Sequence, residues 1–172
     1  MIAPELIRFL SFITHRKRSD IDSRATYLRE IGLLTKGGRG PNAPEMTARD
    51  AVNLLLAIAV NGPAQSVQHA VPICRSLVNA KGVDFGTFME SQISKEVTVK
   101  KISLYRRYNW KINESEPYNW QASEFKVVFL DGTISFFRGE PPEMYKKVSD
   151  LTGEYYVILG AALFELSRQL ST

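Results

Sequence analysis

The sequence predicts an α+β protein, with a helical amino-terminal part followed by a small antiparallel sheet and a closing helix. Three observations carry this. Up to about residue 96 the apolar side chains recur at three- and four-residue spacing, the helical period. After Glu96 the spacing falls to two, the strand period. Asp131-Gly132 then separates two such runs as a hairpin turn would.

Each element follows in order. Leu6, Ile7, Leu10 and Ile13 mark a first helix over residues 4–14. Residues 14–20 are polar and basic and read as a turn. Asp22 or Ser23 is the expected cap of a second helix that runs to about Ile31, where Gly32 supplies the left-handed residue that ends it. On that helix Tyr27, Leu28 and Ile31 are expected to face inward, and Ser23, Thr26, Arg29 and Glu30 outward. Residues 35–46 hold too many Gly and Pro for a helix. Thr47, with Asp50 three residues on, caps a third helix that is apolar on nearly every side and therefore belongs inside a core. Asn61-Gly62-Pro63 stops it. Residues 64–80 read as a helix kinked or restarted at Pro72, and Phe85, Phe88, Met89 and Ile93 as one more, ending near Ser94.

In the second half, Ile102, Leu104, Tyr108, Trp110 and Ile112 share one face of a strand. Val97 and Val99 have the opposite parity, which predicts a bulge near Lys100-Lys101. The Asp131-Gly132 turn is read as a two-residue hairpin, pairing Phe129 with Ile134 and Val127 with Phe136. Residues 145–151 form a candidate fourth strand. After Gly153, Val157, Ile158, Ala161, Leu163, Phe164 and Leu166 are assigned to a final helix, either core or dimer seam. The chain thus divides near 96, into a helical region 1–96 and a sheet-plus-helix region 97–172 that is a candidate dimerisation region.

Composition narrows the function. The chain has 172 residues, 44% of them hydrophobic and 23% charged, the profile of a globular protein. The net charge is +4, a mild surplus that permits a polyanionic partner. Residues 1–50 hold nine basic side chains against six acidic ones, with Arg16, Lys17 and Arg18 contiguous. A single cysteine, Cys74, excludes an intrachain disulfide and suggests a reducing compartment. No apolar run approaches the roughly 20 residues that cross a bilayer, and the first residues do not read as a secretory signal. The expected location is the cytoplasm, with no membrane partner. His15, His69 and Cys74 do not combine into a ligand set, and no nucleophile has a base and an orienting acid beside it. No metal, no cofactor and no enzymatic activity are expected.

The residues that carry chemistry lie between 16 and 39. A helix ending in Gly32-Leu33-Leu34, a loop containing Lys36-Gly37-Gly38-Arg39-Gly40, and a capped leucine-rich helix follow one another. A winged helix-turn-helix uses that order: a helix for a groove, then a basic loop for the adjacent phosphates. Over residues 21–60 this region resembles the head of MerR-type regulators. Tyr27, Glu30, Ile31, Gly32, Leu33 and Leu34 match the family's first run, and Thr47, Asp50, Leu54 and Ile58 match the helix after its wing. The resemblance implies a winged-helix-like head that binds DNA. The Gly-Gly-Arg-Gly loop and the Met-Thr-Ala-Arg-Asp-Ala helix are similar to small prophage proteins and imply a phage or prophage setting.

The candidate DNA-binding residues are Arg16, Lys17, Arg18, Ser23, Arg24, Thr26, Arg29, Lys36 and Arg39. The expected function is double-stranded DNA binding in transcriptional control, as a homodimer, because one short groove helix reads too few base pairs alone. The alternative is a non-enzymatic interaction protein that inhibits a host protein, such as a defence factor, through a DNA-binding-like fold.

Overall fold

The helix that the sequence marks as apolar on all sides lies at the centre of the protein. In a computed structural model, which describes residues 1–36, 42–60, 62–95, 98–106, 123–139 and 155–170, this helix is α3, Ala48–Ala59. Every residue from Asp50 to Val60 is buried. Val52, Leu54, Leu55, Leu56 and Ile58 are each at most 1% exposed. At about 1.5–3 kcal/mol per buried side chain, their burial far outweighs the weak helix preference of Val and Ile. Thr47 and Asp50 form the expected capping box: the Asp50 N–H donates to Thr47 Oγ1, and the Thr47 N–H donates to Asp50 Oδ2 at 2.8 Å. Thr35 adds two more bonds to the same carboxylate, which ties the start of the loop to the cap.

Around α3 stand α1 (Ala3–Thr14), α2 (Arg18–Glu30), a 3-10 turn (Ala64–Ser66), α4 (Val67–Ser76) and α5 (Phe85–Ser94). Helix α1 buries Leu6, Ile7 and Leu10, as its periodicity predicts. It ends at His15, which adopts a left-handed conformation with φ 53. The turn to α2 is only three residues long, shorter than the polar stretch 14–20 suggests. Helix α2 begins at Arg18 rather than at Asp22 or Ser23. The earlier start places Ile21 on one stripe with Ala25 and Leu28, and all three are fully buried. Gly32 follows the helix with φ +71, as expected. Leu34 is buried, but Ile31 is 40% exposed and does not join the core.

The segment 64–80 is not one helix. After Ser76 the chain turns extended, so that Leu77 stays buried while Val78 leaves the helix stripe and is exposed. The Val78 N–H donates to the Arg138 carbonyl at 3.1 Å, and the Arg138 N–H returns the bond at 2.9 Å.

The sheet consists, among the described residues, of β1 (Val99–Arg106), β2 (Ser123–Phe129), β3 (Ile134–Arg138) and β4 (Tyr155–Leu159), all antiparallel, in the order β3-β2-β1-β4. The register of β1 on β2 shifts between Val99 and Lys101, where the parity change predicts a bulge. Helix α6 (Gly160–Leu170) buries Leu163 and Leu166. Residues 155–159 belong to β4, so Val157 and Ile158 are not part of this helix; Val157 pairs with Ser103 and Ile158 with Ile102. Tyr108, Trp110, Ile112 and the candidate strand 145–151 lie outside the described residues.

The hairpin register also differs from expectation. The loop has three residues, not two: Phe129 N–H donates to the Thr133 carbonyl at 2.9 Å, and Gly132 N–H donates to the Phe129 carbonyl at 3.1 Å. Gly132 takes φ +86, the left-handed position that a turn of this length requires. Asp131 accepts from the Thr133 hydroxyl at 2.7 Å and its N–H at 2.9 Å, and these bonds hold its carboxyl below the ordinary range. The extra residue slides the pairing by one, to Val128 with Ile134 and Lys126 with Phe136. A slip of one exchanges the faces of a strand. Phe137 therefore points inward and is fully buried, while Ile134 and Phe136 are exposed.

One hydrophobic core spans residues on both sides of 96. Phe85 of α5 stacks on Phe125 of β2 with centroids 3.8 Å apart and planes at 8°, and meets Phe137 edge-on at 5.0 Å. The Ser167 hydroxyl of α6 donates to the Ile93 carbonyl at the end of α5.

Candidate nucleic-acid interface

Helix α2 has two sides with different duties. Its inner side carries Ile21, Arg24, Ala25 and Leu28, spaced as one helical stripe. Its outer side carries Arg18, Ser19, Asp22, Ser23, Thr26 and Glu30, all exposed.

Arg24 belongs to the inner side, and this corrects its assignment to a DNA contact. The side chain is 3% exposed. Its Nε bonds the Asp20 carboxylate at 3.1 Å, one helical turn back. Nη1 donates to the carbonyls of Ala57 and Val60, both at 2.9 Å, and Nη2 to the carbonyl of Gly62 at 2.9 Å. These carbonyls lie at and beyond the end of α3, where backbone acceptors have no partner within the helix and the helix dipole is negative. Arg24 is the cap that satisfies them, and its guanidinium is not available to phosphate. The sequence holds a signal for this: Arg24 falls on the Ile21–Ala25–Leu28 stripe, with Asp20 four residues before it.

The other candidates fall into three groups. Lys17 is exposed in an extended conformation at the N-cap position of α2, and Arg18 is exposed with its Nε 3.7 Å from the Asp22 carboxylate. Ser23 and Thr26 are exposed one turn further on, their hydroxyls donating back along the helix to the carbonyls of Ser19 and Asp22. Arg18, Ser23 and Thr26 share the outer side of α2, and Lys17 precedes it at the cap. Arg16 is half-buried in the turn, where its carbonyl accepts the Ser11 hydroxyl at 2.7 Å. Arg29 is also half-buried, with its Nε enclosed and without a hydrogen-bond partner among the described residues. It faces outward less fully than the helical wheel suggests. Lys36 is exposed at the start of the loop, and Arg39 lies outside the described residues.

The outer side carries no positive surplus, because Asp22 and Glu30 stand against Arg18 and the adjacent Lys17. Asp22 faces Arg18, and Glu30 accepts from Gln68 at 2.9 Å. No cluster of three or more His, Cys, Asp or Glu residues that could hold a metal ion occurs among the described residues. No helix there is long and apolar enough to cross a membrane. Cys74 is buried within α4.

A second polar network joins α3, α4 and α5. Asn53, fully buried in α3, donates to the Leu33 carbonyl and accepts from Arg75 Nη1 at 2.7 Å. Arg75 Nη2 meets the Glu90 carboxylate. The guanidinium lies against Gly86, where an added Cβ would stand 2.7 Å from Arg75 Cζ. The sequence signal was Asn53 itself, a polar residue within an otherwise apolar helix.

No family model matches the chain, and no curated protein or solved structure does either.

Proposed function

We propose that this protein binds double-stranded DNA as a homodimer and acts in transcriptional control. The observation that supports this reading is the pair α1–α2. Two helices are joined by a three-residue turn with a left-handed residue at its first position, and the second helix is fastened by one side so that the other stays exposed. A helix-turn-helix offers its second helix to the major groove in this way. The contacts proposed are Lys17 and Arg18 to phosphate, Ser23 and Thr26 toward base edges, and Lys36 and Arg39 to phosphate from the loop. Arg24 has no part in them. The setting proposed is phage or prophage gene control, from the likeness of the loop and the helix after it.

The test is fluorescence anisotropy on random duplex DNA at low and moderate salt, with K17A/R18A beside wild type. Both side chains are surface groups whose removal leaves the core intact. Wild type should bind with a steep salt dependence, and the double variant should lose about two units of the logarithmic salt slope. No binding at low salt, or equal slopes for the two proteins, overturns the reading. The alternating acids Asp22 and Glu30 favour one second reading, an interaction protein that grips a host factor through the same side. For that protein no duplex affinity is expected.

A further inference from the structure

Helix α1 carries an apolar surface of its own, away from α2. Phe12 is 78% exposed, more than any other large apolar side chain among the described residues. Phe12 borders an open groove of about 650 Å³ lined by Met1, Glu5, Arg8, Phe9, Phe12 and Gln169. Glu5, Arg8, Phe9 and Phe12 stand at the spacing of a single helix face. Met1 and Phe9 are half-buried against the core. The surface therefore holds a projecting ring and a recess, and one charge of each sign.

The geometry points to a second copy of this chain as the occupant, docked by an antiparallel α1–α1 contact about a two-fold axis. An isologous contact needs a surface complementary to itself. The register that sets Glu5 of one copy against Arg8 of the other places the axis between residues 6 and 7 of both helices. At a rise of about 1.5 Å per residue, the charged pairs then lie about 2 Å either side of the axis and Phe12 about 8 Å from it. The same register sets Phe12 opposite Met1 of the second copy, at the recess beside Phe9. Charge pairing and ring insertion thus select one alignment. Arg8 has no ion-pair partner among the described residues, and Glu5 spends one carboxylate oxygen on the Ile2 N–H at 3.0 Å, leaving the other. Two Phe12 rings with the half-buried Met1 and Phe9 surfaces around them form a contact smaller than the roughly 1,000 Å² of a stable specific interface, which is the range of weak, transient association. A reversible, concentration-dependent dimer follows. The inference rests on the homodimer half of the reading above, and sedimentation in the absence of DNA separates its failure from a failure of DNA binding.

The experiment is sedimentation equilibrium from about 1 to 500 µM, a range that spans weak to moderate self-association. Wild type should pass from monomer to dimer, and F12E should stay monomeric while keeping the wild-type circular dichroism spectrum. E5R and R8E should each dimerise at least about tenfold more weakly than wild type. Mixed in equal amounts, they should associate, because the heterodimer restores both ion pairs. A monomeric wild type leaves the groove to some other ligand and overturns the proposal. So does an F12E dimer as tight as wild type, or an E5R and R8E mixture that associates no better than either protein alone.

Discussion

Arg24 Nη1 donates at 2.9 Å to the carbonyl of Val60, thirty-six residues further along the chain, and so one side chain of α2 closes the end of α3. The same nitrogen holds the Ala57 carbonyl, and Nη2 holds that of Gly62. Because the guanidinium is buried, its loss leaves carbonyls and the Asp20 carboxylate without a donor. Arg24→Ala is expected to cost about 3 kcal/mol, a loss typical of buried charge-assisted bonds. Arg18→Ala, six residues earlier and exposed, should stay within about 0.5 kcal/mol of wild type. Urea unfolding followed by circular dichroism separates the two; equal midpoints would show that Arg24 is not a cap.

Asp50 gathers four hydrogen bonds, two from Thr35 and two from Thr47, on a side chain that is 3% exposed. All four partners are donors, so a carboxylate suits the position and an amide does not. Asp50→Asn turns an NH₂ toward one of them and is expected to cost about 2 kcal/mol. Asp50→Ala removes the cap and should cost at least as much. Denaturant midpoints check both, and a neutral Asp50→Asn would contradict the geometry.

Gly86 makes an unusual claim on its neighbour. In an ordinary helix interior, Gly→Ala stabilises by about 1 kcal/mol. Here the new methyl would stand 2.7 Å from the Arg75 guanidinium and push it off Asn53 and Glu90. Gly86→Ala should therefore destabilise by about 1–2 kcal/mol, the loss of charge-assisted bonds exceeding the helix gain. In an Arg75→Ala background the sign should reverse. A double-mutant cycle on unfolding free energies reads the coupling directly, and additive effects would refute it.

Asp84 caps α5, accepting the Thr87 N–H at 2.8 Å. Burial tends to raise its pKa, but the bonds from Thr87 and the nearby Arg75 charge outweigh this and hold the carboxyl below its ordinary value. Between the folded and unfolded pKa values the unfolded chain binds more protons, so stability rises with pH there. The contribution of the cap is full above about pH 4, the ordinary value for aspartate, and is lost as pH falls through the lower, folded pKa. Asp84→Ala should cost about 1 kcal/mol at pH 7 and progressively less in acid. Thermal unfolding of both proteins from neutral to acidic pH tests this; a gap that does not narrow would contradict it.

Local chemistry was legible in the sequence, and long-range partnership was not. The Thr47–Asp50 cap, the turn at Gly32, the all-round burial of α3 and the bulge before Lys101 each follow from residues close together in the chain. The β3 register did not, because Asp131-Gly132 suits a three-residue loop with a left-handed glycine as well as a two-residue turn. Residues 155–159 read as helix or strand equally well, because a short apolar run has no period that separates the two. They form a strand by pairing with β1, fifty or more residues earlier in the chain. The same limit governs the candidate interface. Ser23, Thr26 and Glu30 are exposed as a helical wheel suggests, whereas the duty of Arg24 depends on carbonyls supplied by another helix.

The division of labour on α2 has an evolutionary corollary. The buried contacts that fasten this helix come from one flank, and the exposed positions 18, 19, 22, 23 and 26 carry few folding constraints beyond the Arg18–Asp22 pair. Those five positions form a plate that drift or a mutagenic library can re-engrave, altering what the protein grips while the chassis beneath keeps its shape.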